Sequence, residues 1–330
     1  MLSRFAIAVL LAGILPAASY SQEAGEVLLG SGTDHFALMA CGVDGRAYFS
    51  RSFTDPDPSS FGVGLSSVLG VSRDGSIVTF QPPDKATPVV AAVDSSGLSV
   101  LAAHPRHLPE DFRWEIYQLD NQANLLGHHS AAIGFQPVQM AVLPSGRTII
   151  AGHTGDLSWS HRDQWNYVGG IFDADGSMIE HFKFPSPTDG GKWTFNSREK
   201  MIERNGAAYV VLQSDSSDAA AIARISESGS VNIKILPESP DDDQRHHHLW
   251  LLGPGIAVEE YSYTGERPRI RMHYDEYDLN SGKKIATKVS AGGSATCYYG
   301  TEVNWIAPDT RRLFFNRLEN QALSPPPSGH

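Results

Sequence analysis

Three consecutive aspartates, Asp241 to Asp243, run through Gln244 and Arg245 into three consecutive histidines, His246 to His248. Side chains two apart in an extended strand leave the backbone on the same side, so His246 and His248 would point together. Imidazoles with a carboxylate beside them form the donor set of a zinc or copper site, and Asp243, His246 and His248 are the candidate ligands for such a divalent metal. The spacing matches no strong zinc signature, and a solvated loop of polar residues accounts for the same run without a metal. A second group is aromatic: Trp159, His161, Trp165 and Trp193, with Tyr167 close by. Exposed rings of this kind stack on sugars or grip peptides, which makes these four the candidate ligand-binding residues. A tryptophan in a long connection can equally anchor that connection to the layer beneath it.

No linear catalytic motif accompanies these groups. The chain lacks a G-x-S-x-G elbow, an H-E-x-x-H pair, a G-x-x-x-x-G-K-[ST] phosphate loop and a C-x-x-C pair, and each of those would have marked a definite chemistry. The formal net charge of −11 excludes a nucleic-acid partner, because an acidic surface repels phosphate backbones and offers no basic stripe. Cys41 and Cys297 are the only cysteines, too few for a disulfide framework. One bond between them is conceivable in an oxidising compartment, and the sequence alone leaves it open.

The address is written at the start of the chain. A single charge at Arg4 precedes an apolar run from Phe5 to Leu15, then Pro16 and the small residues Ala17, Ala18 and Ser19. A helix needs roughly 20 apolar residues to span a bilayer, so this order reads as a secretory signal peptide over residues 1–21, cleaved after Ser19 or Ser21. The expected location is secreted or periplasmic, with no membrane insertion after cleavage.

The elements that must position any site emerge from a hidden repeat. Short β-branched, aromatic or aliphatic runs recur between turn signals, with no sustained helical period. One hairpin recurs six times, turning at Asp44-Gly45, Ser96-Gly97, Ser145-Gly146, Asn205-Gly206, Pro254-Gly255 and Asp309-Thr310. Just beyond these turns stand Tyr48-Phe49, Val100-Leu101, Ile149-Ile150, Tyr209-Val210, Val258-Glu259 and Leu313-Phe314, with Glu259 the one polar member. Adjacent strand residues face opposite ways, so paired apolar columns mean strands buried on both sides. A second hairpin, turning at Asp74-Gly75, Asp120-Asn121, Asp175-Gly176, Ser228-Gly229 and Ser281-Gly282, lies between the first ones, and its last two intervals are both 53 residues.

Each repeat is therefore four antiparallel strands, and strands buried on both faces fit blades packed around an axis. The expected fold is all-β, a six-bladed β-propeller over residues 22–320, with a disordered Pro-rich tail over 321–330. A sixth second hairpin would fall beyond the chain end, so the strand-like Glu26 to Gly30 is expected to close the ring by supplying a missing strand. Seven blades are the alternative, if the 60 residues between Gly146 and Gly206 hide extra strands. The pattern resembles the NHL-repeat and related six-bladed propeller families across residues 26–320. That resemblance is one of architecture: the WD dipeptide is missing, and no family metal or cofactor ligand can be carried over residue by residue.

In such a meander the tight turns share one end and the long connections the other. By the strand scheme His35, His104, His107, His128, His129, His153 and His161 also fall at the long-loop end. The functional expectation is an exported, monomeric binding module that engages a peptide, glycan or protein partner through the long-loop face. The alternative is a metal-dependent hydrolase or lyase with its His/Asp site over the central channel.

Overall fold

A computed structural model of the chain describes residues 25–30, 34–42, 44–53, 66–94, 96–104, 113–155, 166–187, 190–195, 200–217, 219–235, 248–253, 256–262, 271–278, 280–281, 283–307 and 311–320. Among them there is no α-helix. Strand β1 (Gly25–Leu28) stands first. Blade 1 holds β2 (Asp34–Cys41), β3 (Ala47–Phe53), β4 (Ser67–Val71) and β5 (Ile77–Phe80). Blade 2 holds β6 (Thr87–Val93), β7 (Leu98–His104), β8 (Arg113–Leu119) and β9 (Leu125–Ala131). Blade 3 holds β10 (Gln136–Val142), β11 (Thr148–Thr154), β12 (Asn166–Phe172) and β13 (Met178–Lys183). Blade 4 holds β14 (Trp193–Phe195), β15 (Ile202–Arg204), β16 (Ala207–Ser214), β17 (Ala220–Ser226) and β18 (Val231–Ile235). Blade 5 holds β19 (His248–Gly253), β20 (Ile256–Ser262), β21 (Arg271–Asp278) and β22 (Lys284–Ala291). Blade 6 holds β23 (Cys297–Tyr298), β24 (Glu302–Ala307) and β25 (Arg312–Arg317), and β26 (Glu319–Asn320) adds a fifth strand to blade 5. The six sheets are antiparallel throughout, so the chain is a six-bladed β-propeller.

Burial follows position within a blade. The second strands β7 and β11 are buried along nearly their whole length on both faces, while the outermost β9, β13 and β18 are largely wet. That gradient is what radial wedges require and a flat sandwich does not. The first strands form the inner ring: β2 lies against β6, β6 against β10, β10 against β15, and β15 against β19. Apolar clusters fill the seams between blades, with Tyr117 and Leu119 between blades 1 and 2, Ile150 and Phe172 between 2 and 3, and Ile149 and Phe195 between 3 and 4.

The long interval before Gly206 hides a strand, but not a seventh blade. Both β14 and β15 pair with β16, through Phe195 opposite Leu212 and Ile202 opposite Tyr209, so they are two halves of one interrupted innermost strand. Smaller interruptions recur on the innermost strands β2, β6, β10 and β19, each of which shifts register by a bulge against its neighbour. An edge strand tolerates such breaks because one side of its backbone ladder has no strand to match.

Closure agrees with the expected device and corrects one detail. β1 pairs with β25, Val27 opposite Leu313, and completes a sheet in the order β1, β25, β24, β23. The hairpin turning at residues 308–311 is therefore the second and third strand of its blade, whereas the repeat alignment reads it as the first and second. Glu302, which opens β24, is 2.8 Å from Arg73 in the tight β4–β5 turn, so β24 begins at the short-turn end as a second strand must. The alignment erred because first, second and third strands all carry paired apolar residues here. Trp305, in that hairpin, is half-buried and stacks on Phe314 with ring centroids 4.6 Å apart. The innermost place belongs to the two-residue β23, and its Cys297 is disulfide-bonded to Cys41 at the end of β2, with Cα atoms 5.9 Å apart.

Gly169 is among the glycines required by packing. The Phe182 ring, in the core between blades 3 and 4, lies flat on Gly169, where an added Cβ would meet Cζ at 2.1 Å. Gly169→Ala is expected to cost about 1–3 kcal/mol, as overpacking a filled core does. Gly134→Ala, where no atom lies within 4 Å of the added Cβ, is the control, and urea unfolding of the two variants measures the difference.

Candidate functional site

The second-to-third-strand connections span residues 54–66, 105–112, 155–165, 215–219 and 263–270, all at one end of the ring, while the opposite end has tight turns at 42–46, 72–76, 143–147 and 173–177. Of the seven sequence candidates, Trp159, His161 and Trp165 belong to the connection over 155–165. Trp159, His161, Trp165, Asp243 and His246 lie outside the described residues. His248 is the first residue of β19, with its backbone paired to Glu260. Trp193 opens β14 and is only 4% exposed, inside the core between blades 3 and 4. Tyr167 sits edge-on to Phe195 in that core, centroids 5.0 Å apart. Among the described residues no group of three or more His, Cys, Asp or Glu side chains gathers in a way that would hold a metal ion.

What the fold does assemble is a cluster on the face of blade 2 that looks toward blade 1, running from the long-loop end of β7 and β8 to the middle of β9. Glu115 and Tyr117 alternate on β8, placing both on that face beside His104 at the end of β7 and His128 on β9. His128 and His129 sit midway along β9, not at its end as the strand scheme had them. Glu115 is only 4% exposed, and a charge so buried demands partners. It has them on both oxygens. Tyr117 donates its hydroxyl to Oε2 at 2.7 Å, His104 Nε2 lies 3.0 Å from the same oxygen, and the Arg113 guanidinium pairs with Oε1. The His128 ring stacks on Tyr117 with centroids 5.7 Å apart, and its Nδ1 is 4.0 Å from Oε2.

Electrostatics keeps this carboxylate ionised. Burial alone would raise its pKa, but the hydrogen bonds from Tyr117 and His104 and the charges of His104 and Arg113 outweigh it, leaving Glu115 below its usual value of 4.5. A carboxylate saturated with donors is a poor general base. It is well suited to fixing the groups around it. The Arg113 and His128 side chains remain 52% and 54% exposed, so the cluster presents two oriented nitrogen donors on a buried anionic hub.

A folded-state pKa below the unfolded one stabilises the protein above the unfolded pKa, and that contribution is lost as pH falls through the folded value. Glu115→Gln is therefore expected to cost about 1–3 kcal/mol at neutral pH. The gap between wild type and variant should narrow as the pH drops below 4.5, the ordinary glutamate value. Chemical denaturation across that acid range checks it, and a gap independent of pH would mean that the carboxylate is not held by these donors.

No protein-family model matches the chain, and no curated protein matches it. Solved structures do. The β-propeller domain of the Trilobed protease from Pyrococcus furiosus is 12% identical with a TM-score of 0.44, the match covering 89% of this chain and 97% of that one. The hemagglutinin-neuraminidase ectodomain of parainfluenza virus 5 is 8% identical with a TM-score of 0.44, covering 91% and 81%. A GH43_1 enzyme from Xanthomonas citri is 12% identical with a TM-score of 0.38, covering 86% and 92%. At identities this low the likeness concerns the fold alone.

Proposed function

We propose that the chain is an exported propeller module that binds a peptide, glycan or protein partner through its long-loop face. The observation that supports this is the Glu115 hub: its carboxylate is spent on Tyr117, His104 and Arg113, and what it leaves for a partner is an oriented, half-exposed guanidinium and imidazole. Such donors recognise hydroxyl, carbonyl and carboxylate groups, the chemistry of sugars and peptides. Rigid strands below and long connections above are the usual division of labour on a binding scaffold. Export rests on the Phe5 to Leu15 run and the small residues after it. The mature protein recovered from a bacterial periplasm should begin at Tyr20 or Gln22, and an intact N-terminus would remove the export part of the reading.

The binding part is tested with arrays of immobilised glycans and peptides. An Arg113→Ala, His128→Ala double variant should lose at least ten-fold in apparent affinity for whatever the wild-type chain retains, about the worth of one charge-assisted contact. Retention of the same ligands at equal strength would move the binding face elsewhere.

A second reading is a metal-dependent hydrolase or lyase. Its support is narrower: His248 opens the innermost strand of blade 5 at the long-loop end, where it and the preceding His246 and Asp243 would overlook the channel. Untagged protein carrying one tightly held zinc or copper ion, lost in a His246→Ala, His248→Ala double variant, is the result this reading requires.

A further inference from the structure

Apart from the Glu115 hub, the flank of blade 3 carries a cavity of about 400 Å³. Its floor is the Phe135 ring and Val168, with Gly134 on one wall. The rim is formed by Thr154 at the end of β11 and by His181 and Lys183 on β13. Register explains the grouping. Lys183 pairs with Val168 and His181 with Gly170, so the two basic side chains leave β13 on the face that Val168 shares, toward blade 2. Phe135 is held from below, 8% exposed within the core between blades 2 and 3. The Gly134 wall is open space, since no atom lies within 4 Å of where its Cβ would stand.

We propose that this cavity is a binding site for a small organic anion, a carboxylate or sulfonate borne on an aromatic or branched aliphatic body. Two observations converge on that class. Among the described residues the lining has no acidic side chain, although the chain as a whole carries a net charge of −11, and neither His181 nor Lys183 has an ion-pair partner there. An apolar floor with a few polar groups at one edge is the usual form of a small-molecule site, and here the polar groups are a cation, an imidazole and a hydroxyl. The body of the ligand would displace water from Phe135 and Val168, while its anionic head would meet Lys183 at the rim. A primary ammonium is a strongly hydrated point charge that pairs with any oxyanion, so the site selects charge and shape more than a particular acid. This site is independent of the macromolecular partner proposed above, and its test uses small probes only.

The probes are 4-phenylbutyrate, its neutral counterpart 4-phenylbutan-1-ol, and the cation 4-phenylbutylammonium, each titrated into isotopically labelled protein by NMR. The carboxylate should shift the amides of Gly134, Thr154, Val168 and Lys183, and should bind about ten-fold more tightly than the alcohol, with the ammonium weakest. Lys183→Met keeps the apolar stem and removes the charge, and it should erase the preference of carboxylate over alcohol. Gly134→Leu, whose Cβ would meet no atom within 4 Å, extends three further carbons from the wall and should abolish the shifts for all three probes. Equal affinity for carboxylate and alcohol, or shifts that survive Gly134→Leu, would overturn the proposal. So would the absence of localised shifts up to the solubility limit of the carboxylate.

Discussion

Removing the bond between Cys41 and Cys297, by Cys41→Ala with Cys297→Ala, is expected to lower the unfolding free energy by about 3–5 kcal/mol. The bridge spans 256 residues, so in its absence the unfolded chain regains the freedom of a very long loop, which chain-entropy estimates place near 5 kcal/mol. Native-state contacts should change little. Cys297 is fully buried against Phe315 and Leu313, and alanine in its place opens only a small gap. Thermal unfolding with and without a thiol reductant is the check: reductant should destabilise the wild type to the level of the variant and leave the variant unmoved. A wild type indifferent to reductant would mean that the cross-link does not constrain the unfolded chain.

The second large effect is expected at the borrowed strand. Val27 is 7% exposed and packs with Phe49, Leu69 and Phe315 in the seam between blades 6 and 1, while Leu28, its neighbour on the same strand, is 59% exposed. Val27→Asp places an unpaired carboxylate in that seam and should cost about 4 kcal/mol or more. Leu28→Asp keeps the same backbone pairing to β25 and should stay within about 0.5 kcal/mol of wild type. Because detachment of β1 bares the edge of β25, the Val27→Asp protein should also self-associate in size-exclusion chromatography. Two variants of equal stability would mean that the segment adds backbone pairing only and contributes nothing to the core. The two closures act on the same pair of blades, so their effects should couple when the substitutions are combined.

The repeat was legible because second and third strands such as β7, β8 and β11 are buried on both sides and must say so in consecutive apolar residues, as Ile149-Ile150 and Val100-Leu101 do. The turns were legible because Asp74-Gly75 and Asp175-Gly176 specify backbone shapes that few other pairs adopt. The sixth repeat was misplaced by one strand for the same reason that it was found: Leu313-Phe314 looks like any doubly buried pair, and sequence carries no mark of distance from the axis. β14 was missed because three residues, Trp193 to Phe195, are too short a run to separate from the loop around them. At the candidate site the signal was present and unread. Glu115 stands between Trp114 and Ile116 in a strand with no wet face, a position where a carboxylate must be paired. Its partners, His104 and His128, lie more than ten residues away on either side, and only the strand register shows that they converge. Whether Cys41 and Cys297 meet was equally beyond the sequence, because it depends on ring closure bringing two Cα atoms within bridging range.

Closing the ring with the chain's earliest strand has a bearing on how the molecule is made. Residues 25–28 can find their places only after residues 312–315 have left the ribosome, and until then the growing polypeptide is an open arc of wedges with a bare flank at each end. Contacts this distant in sequence form late and slowly, and an arc with two adhesive flanks is the species most prone to associate with its own copies. The opening strand has to wait, unspent, while the more than 280 residues between it and its partner strand are made.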